Sequence, residues 1–202
     1  MKLIILDCQS LTRKEIQLHG TPGFTRMIPM SPQIFKSHYG LDTDPPATHL
    51  CFEVYNQGNQ IASGHFTNSD EEHAEEVFIG ERFRDEWKNC TIVWYISWSP
   101  CDNCIQILLN NFLSRNPLVK LQINFAKLHR QTSKWNVRML YQRGVRIRVM
   151  DQQDFHRCWT RFVETEERFV GWNMIMYRNY HQAFQWLCEA LSRQNLCYRY
   201  YF

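Results

Sequence analysis

The segment Thr91–Ser97 reads TIVWYIS and is almost entirely apolar. A strand with one solvent-facing side alternates apolar and polar residues, whereas a strand covered on both sides reads as a nearly continuous apolar run. We therefore predict that Thr91–Ser97 is a central strand of a sheet whose two faces are both covered. This segment constrains the fold to a layered arrangement with the sheet inside.

Weaker patterns place further strands and helices around this segment. Residues 49–55 and 60–66 read as two strands of a hairpin, joined by a turn that contains Gly58. Additional strands are predicted at 120–126 and 145–150, and helices at 32–39, 72–87, 102–113, 134–143, 154–164 and 177–193. A hairpin followed by alternating helices and strands predicts a three-layer α/β/α fold, with about five strands in a mixed sheet and about six helices.

Length and composition indicate one packed domain. The chain has 202 residues, of which 44% are hydrophobic and 21% charged, and it contains only 8 Gly and 7 Pro. These values exclude disordered, collagen-like and low-complexity classes. Residues 1–30 carry Pro22 and Pro29 and show no sustained period, so we expect an N-terminal extension there and a single domain at residues 31–202.

The N-terminal sequence and the 8 cysteines indicate whether the protein meets a membrane and whether its thiols are reduced. The apolar run at residues 3–6 ends at Asp7 and is too short for a signal-peptide core or a membrane span. We therefore expect no membrane partner. Without a secretory signal the thiols should be reduced, so the cysteines are candidates for metal binding or packing rather than for disulfides.

Two of the predicted helices begin with residues that bind metals. The sequence His-Ala-Glu at 73–75 opens one helix, and Pro-Cys-Asp-Asn-Cys at 100–104 opens another directly after the buried strand. One imidazole and two thiolates leave the fourth tetrahedral position free for water, as in a catalytic zinc site. Glu75 can take a proton from that water and return it to a leaving amine. We predict one zinc ion per chain, with these ligands: His73, Cys101 and Cys104.

Simpler interpretations of the same residues explain less of the pattern. A Cys-x-x-Cys pair alone also occurs in redox sites and zinc ribbons, but the chain has no second pair to complete a ribbon. A thioredoxin-like site does not need His-x-Glu upstream. A cysteine protease that uses Cys101 or Cys104 with His73 would leave Glu75 unexplained and would lack an orienting group.

The combined pattern His-x-Glu…Pro-Cys-x-x-Cys is the signature of zinc-dependent base deaminases. Together with Ser97-Trp98-Ser99-Pro100-Cys101, it makes the chain resemble the vertebrate AID/APOBEC polynucleotide cytidine deaminases. Three other segments resemble that family: the first strand at 50–54, the end of the fourth strand at 125–128, and a Cys-Trp-x-x-Phe-Val segment that begins at 158. The resemblance extends from residue 31 to residue 176 and implies a cytidine deaminase-like fold.

The resemblance implies hydrolysis of cytosine to uracil in single-stranded DNA, RNA or both, with a zinc-bound hydroxide attacking C4 and Glu75 as proton shuttle. It implies a cytoplasmic or nuclear location, and it leaves open self-association, direct or bridged by RNA. Carried over by position, it also implies that eight residues contact the target nucleotide or its neighbours: Thr48, Asn68, Ala74, Trp98, Ser99, Lys127, His129 and Arg130. For Thr48 and Asn68, a strand-start hydroxyl and a loop cap are the alternative interpretations.

Two loops depart from the family pattern. His129 stands where the family usually has a tyrosine, and an imidazole offers less stacking area to the target base and to its 5′ neighbour. The loop Asp42–Pro46 is acidic and rich in proline, so phosphates should bind poorly at that rim. These departures favour an alternative, a catalytically weak RNA-binding protein of the same fold. Deamination of free cytidine fits less well, because such enzymes are usually smaller chains.

The net charge of +3 hides an uneven distribution. Residues 114–150 contain nine Lys or Arg and no acid, whereas residues 69–87 contain eight acids. A basic stretch with aromatic residues interleaved predicts a track for nucleic-acid phosphates. The alternative is that these side chains form an ordinary solvated surface.

Overall fold

The structure, a computed structural model, describes residues 29–68 and 71–191. Their five strands form one mixed sheet in the order β2-β1-β3-β4-β5. Strand β1 is antiparallel to β2 and β3, while β3, β4 and β5 are parallel. The predicted mixed sheet is therefore confirmed. The strands are His49–Asn56 (β1), Asn59–Thr67 (β2), Thr91–Trp98 (β3), Lys120–Lys127 (β4) and Arg146–Val149 (β5).

Six helices lie on the two faces of the sheet. Two of them continue into π-helical turns, α2 through Phe78–Arg82 and α3 through Leu108–Phe112 followed by Leu113–Arg115. Among the described residues, no helix combines the length and the apolar content needed to cross a membrane. The helices are Pro32–Tyr39 (α1), Ala74–Val77 (α2), Asp102–Ile107 (α3), Lys134–Gln142 (α4), Gln152–Phe162 (α5) and Met174–Ala190 (α6).

Strand β3 separates two apolar cores, as predicted. Ile92, Trp94 and Ile96 point into the core formed with α2, α3, α4 and α6. Val93 and Tyr95 point the other way, into the core formed with α1 and α5. All five side chains are buried, because both faces of the sheet are covered by helices. The structure is therefore the three-layer α/β/α fold that the apolar run indicates.

Capping residues explain where helices differ from the predicted bounds. Helix α2 begins at Ala74 rather than at residue 72, because His73 is extended and its N–H donates to the Glu76 carboxylate over 3.2 Å. The helical segment ends at Arg82, and a separate 3₁₀ turn follows at Asp85–Trp87. Helix α6 begins earlier than predicted, because the side-chain oxygen of Asn173 accepts from the Met176 N–H. Residues 192–193 of the predicted final helix lie outside the described residues.

The packed domain includes Met30, which the sequence analysis assigned to the extension. Its side chain is buried, its N–H donates to the Phe162 carbonyl over 2.8 Å, and its carbonyl accepts from the Glu164 N–H over 3.0 Å. The chain therefore joins the domain beside the end of α5. The expectation for residues 1–28 lies outside the described residues.

An ion pair between a buried carboxylate and a partly exposed guanidinium attaches α5 to the sheet. Glu53 of β1 is fully buried, and the Arg157 guanidinium donates to both of its carboxylate oxygens, over 3.0 and 3.1 Å. The Tyr55 hydroxyl donates to the same carboxylate over 2.9 Å, and Arg161 lies 3.5 Å away. A carboxylate removed from water requires such partners, because an unpaired buried charge is costly.

Replacing Arg157 by Met should lower the free energy of unfolding by about 2–4 kcal/mol, since it removes the bidentate partner of a buried carboxylate. Urea denaturation followed by circular dichroism measures this loss. The matched control is Lys36→Met, which breaks the exposed pair with Glu167 and should cost under about 1 kcal/mol. Equal losses in the two variants would contradict the structural role of the pair between Glu53 and Arg157.

Candidate active site

The first residues of α2 and α3 meet at one edge of the sheet. His73 precedes α2, and its Nδ1 lies 3.1 Å from the Cys104 sulfur and 3.5 Å from the Cys101 sulfur. The three potential ligand atoms all lie within 4.8 Å of one another, and no other group of this kind occurs within 29–68 and 71–191. The structure thus brings together the three residues that the sequence predicts as zinc ligands.

The start of α3 favours thiolates. Cys101 is the N-terminal cap of this helix, and its sulfur accepts from the Cys104 N–H over 3.5 Å. The hydrogen bond from the Cys104 thiol lowers the pKa of Cys101 to about 5, although burial opposes this change. The same bond, together with burial, raises the pKa of Cys104. The start of this helix therefore favours the thiolate form of Cys101.

The donor set fits zinc. Tetrahedral coordination, with bonds of about 2.0 Å to nitrogen and 2.3 Å to sulfur, places those two atoms about 3.5 Å apart. The separations of 3.1 and 3.5 Å observed from Nδ1 of His73 are close to that value. Three protein ligands of this type leave the fourth position for water.

Glu75 lies on the first turn of α2 and is almost completely buried. Its carboxyl group contacts the Cys104 thiol, so it faces the group of ligands without belonging to it. Burial raises the pKa of Glu75 to about 7, while a hydrogen bond from its own backbone N–H acts in the opposite direction. A carboxyl group in this position can exchange protons with whatever occupies the open coordination position.

A family model described as APOBEC3, cytosine deaminase domain, matches residues 29–191. This range contains every strand and helix described above, together with the ligand trio and Glu75. The chain belongs to the APOBEC3 cytosine deaminase domain family. The resemblance inferred from the sequence motifs is therefore confirmed.

Several relatives of this APOBEC3 domain are named as editing enzymes. The chain is 31% identical over 171 residues to the DNA dC->dU-editing enzyme APOBEC-3G of Lagothrix lagotricha, covering 74% of the chain and 44% of that protein. It is 35% identical over 123 residues to the C->U-editing enzyme APOBEC-1 of Mus musculus, covering 57% and 53%. It is 30% identical over 167 residues to the DNA dC->dU-editing enzyme APOBEC3 of Rattus norvegicus, covering 73% and 38%. The chain thus spans about half or less of the length of these relatives.

Two of the nucleotide-contact residues expected in this APOBEC3 domain hold strand ends together. The Thr48 N–H donates to the side-chain oxygen of Asn68 over 2.9 Å, and the Asn68 N–H donates to the Thr48 carbonyl over 3.0 Å. These bonds connect the start of β1 to the end of β2. Both side chains are half-buried at the edge where the ligand trio lies. Their contact with a nucleotide stays a prediction.

Trp98 and Lys127 contact the acidic loop 41–48, which joins α1 to β1. The Lys127 ammonium binds the Thr43 carbonyl and lies 3.6 Å from the Asp44 carboxylate, and only 12% of the Lys127 side chain is exposed. It also lies over the Trp98 ring, 5.9 Å from the centroid, while the indole N–H donates to the Pro45 carbonyl over 3.4 Å. This connection was not predictable from the sequence, because no local pattern links Asp44 to a residue in β4.

The remaining predicted contacts divide between buried and accessible positions. Ala74 and Ser99 are buried, and the Ser99 hydroxyl accepts from the His129 N–H over 2.9 Å. The half-buried His129 ring meets Trp98 edge-on, with centroids 5.9 Å apart, and Arg130 is exposed. His129 and Arg130 are therefore accessible from solvent, whereas Ser99 binds the backbone of the neighbouring loop.

The basic stretch at 114–150 forms many internal contacts. The Arg138 and Arg143 guanidinium groups donate to the carbonyls of Ala190 and Leu113, at the ends of two helices. These guanidinium groups, which were predicted to belong to a phosphate track, are therefore already bound to carbonyls at helix ends. Five of the nine basic residues bind carbonyl or carboxylate groups of the same domain: Lys127, Lys134, Arg138, Arg143 and Arg148. The stretch therefore stabilises the fold as well as supplying surface charge.

Replacing His73 by Ala should abolish zinc binding, because two thiols alone leave half of the tetrahedral shell without protein ligands. Plasma mass spectrometry after dialysis should then find close to no zinc, against about one ion per chain in the unchanged protein. The control, Cys90→Ala, removes a buried thiol outside the ligand trio and should keep its zinc. Zinc retained at the same level in His73→Ala would show that the ligand assignment is wrong.

Proposed function

We propose that this chain is a zinc-dependent hydrolytic deaminase that converts cytosine to uracil in single-stranded polynucleotides. The observation that carries the proposal is the contact of the buried Glu75 carboxyl with Cys104, whose sulfur also faces the imidazole of His73. A proton-transfer group and three zinc ligands thus meet in one place. The names of the relatives, DNA dC->dU-editing and C->U-editing enzymes, support the same reaction.

In the proposed reaction His73, Cys101 and Cys104 hold the zinc ion. When bound, the ion makes a water molecule nucleophilic near neutral pH. Glu75 accepts a proton of that water on a carboxylate oxygen and passes it to N3 of the base. The second proton of the water then goes to the exocyclic amine, which leaves carbon 4 as ammonia. Water supplies the oxygen of the new carbonyl, and one carbon–oxygen bond replaces one carbon–nitrogen bond.

The accessible residues around the ligand trio suit a base that has left the stack. Deaminases act on single strands or on flipped nucleotides, because their target atom is out of reach inside a duplex. Trp98 and His129 offer aromatic surfaces at the edge of the sheet where the trio lies. Arg130 is exposed on the same loop as His129 and is available to a phosphate. Such substrates occur in the cytoplasm and the nucleus, where we propose that the protein acts.

The contact between Lys127 and Asp44 favours a second candidate function. It neutralises a cation at the rim of the site and covers Trp98, which opposes access of a strand. With Lys127 paired to Asp44, the protein would bind RNA through other basic residues and would deaminate cytosine slowly. The two functions differ in a measurable product, since only deamination yields uracil.

Changing Glu75 to Gln should lower deamination by at least about 100-fold while zinc stays bound, because the amide cannot carry the proton. The assay uses matched single-stranded DNA and RNA oligonucleotides with one cytosine and scores uracil, alongside metal analysis. The matched control is Glu81→Gln, the same chemical change on an exposed residue of the π-helical turn, which should retain activity.

The unchanged, folded and zinc-loaded protein must produce uracil on at least one of the two strands. Production of none would contradict the proposed reaction. Tight, salt-sensitive RNA binding without uracil would instead support the second candidate. Turnover by Glu75→Gln at the unchanged rate would show that the proton passes through another group.

Changing Asp44 to Asn should lower KM for a single-stranded oligonucleotide by about threefold at low salt, because it removes the carboxylate that neutralises the Lys127 ammonium and leaves this positive charge to attract a phosphate. The control Asp42→Asn removes the same charge from the same loop but leaves the ion pair between Lys127 and Asp44 intact. Equal effects of the two substitutions would indicate general electrostatics rather than the specific contact. Steady-state kinetics at two salt concentrations separates these outcomes.

A further inference from the structure

A chain of hydrogen bonds connects the loop 128–133, which follows β4, to the residue before the first zinc-binding cysteine. The His129 N–H donates to the Ser99 hydroxyl over 2.9 Å, and that hydroxyl lies 2.9 Å from the Thr132 hydroxyl. The Thr132 hydroxyl donates to the Pro100 carbonyl over 2.9 Å. Ser99 and Thr132 are only 4% and 9% exposed, so water does not substitute for these bonds.

The geometry defines the direction of every bond in this chain. A carbonyl can only accept, so the single proton of Thr132 is directed to Pro100. The Ser99 hydroxyl must then be the donor to Thr132, while it accepts from His129. Each hydroxyl thus accepts one bond and donates the next, an arrangement in which neighbouring bonds strengthen one another.

A second connection joins the same loop to the same turn. The Asp102 N–H donates to the Gln131 carbonyl over 2.9 Å, and the Asp102 carboxylate accepts from the Ser133 N–H over 2.8 Å. Asp102 lies between the two zinc-binding cysteines in sequence. The loop that presents His129 and Arg130 is therefore fixed to the metal-binding turn at two points.

We propose that Thr132 is a positioning residue, which holds the loop 128–133 in register with the metal-binding turn through Ser99 and Pro100. The proposal rests on the proposed function, because its consequence is the placement of His129 and Arg130 beside a bound strand. A loop that is already ordered loses less entropy when a strand binds. Removal of the Thr132 hydroxyl takes the donor from the buried Pro100 carbonyl and the acceptor from the buried Ser99 hydroxyl, so the loop should leave this position.

The first test does not require catalysis. Amide hydrogen exchange, resolved by residue with NMR on the zinc-loaded protein, reports the bond from the His129 N–H. In Thr132→Val, which has nearly the same shape, exchange at His129 should accelerate by at least about tenfold. Thr132→Ser keeps the hydroxyl and should exchange at close to the unchanged rate. Thr160→Val is the matched control, because the Thr160 hydroxyl only caps the His156 carbonyl on the exposed face of α5.

The second test measures substrate discrimination. The ratio of kcat/KM for two oligonucleotides that differ only in the base 5′ to the target does not depend on the fraction of folded protein. In Thr132→Val we expect this ratio to change by at least about threefold, with a larger effect on KM than on kcat. Thr132→Ser should restore the ratio. A merely destabilising substitution would lower the activity on both oligonucleotides equally.

A double-mutant cycle shows whether Ser99 and Thr132 act as one chain. Both Ser99→Ala and Thr132→Val interrupt the same series of bonds. The double variant should therefore show little more loss of exchange protection at His129 than the single variant with the larger loss. Three results would each overturn the proposal: unchanged exchange at His129 in Thr132→Val, additive losses of exchange protection in the double variant, or an unchanged ratio of kcat/KM for the two oligonucleotides. If the unchanged protein made no uracil, the proposed function would fail, while the exchange test would still decide the role of Thr132.

Discussion

Strand β3 pairs with antiparallel β1 on one side and with parallel β4 on the other, and this pairing determines where the site forms. Because β3 and β4 are parallel, both end at the same edge of the sheet, and so does β2, which is antiparallel to β1. The start of β1 lies at that edge too. Segments that are far apart in sequence therefore meet there: Thr48, Asn68, His73, the turn 99–104 and the loop 128–133. Helices cover both faces of β3, so the strand that organises this edge lies between the two apolar cores.

Features that depend on local pattern were predictable from the sequence. The apolar run at 91–97 indicated burial on both faces, and the turn at Gly58 indicated the hairpin; the structure contains both. The grouping of His73, Cys101 and Cys104 was also predictable, because it follows from His-x-Glu and Cys-x-x-Cys at the starts of neighbouring helices. Their binding of zinc and the role of Glu75 stay predictions. The structure shows that Nδ1 of His73 faces the two sulfurs, a detail that spacing alone does not provide.

Features that depend on contacts between distant segments were not predictable. The helix predicted at 72–87 ends early, at a π-helical turn, because Phe83 is extended and packs edge-on against Phe112 from α3, with ring centroids 4.9 Å apart. The role of Thr132 was not predictable, because it depends on a hydrogen bond to Pro100, which is distant in sequence. Likewise, a count of basic residues at 114–150 could not show that Arg138 and Arg143 cap the ends of helices.

The two loops beside the site are held by contacts of different strength. The loop 128–133 is attached through buried, fully directed hydrogen bonds, which break only at the cost of leaving polar groups without partners. Residues 42–46 of the other loop are attached through Lys127 and Asp44, and 70% of the Asp44 side chain is exposed, so water can replace that contact. Residues 42–46 are therefore the more weakly held of the two segments. The loop that carries His129 is fixed to the turn 99–104 by the same network of bonds that includes the residues on either side of Cys101.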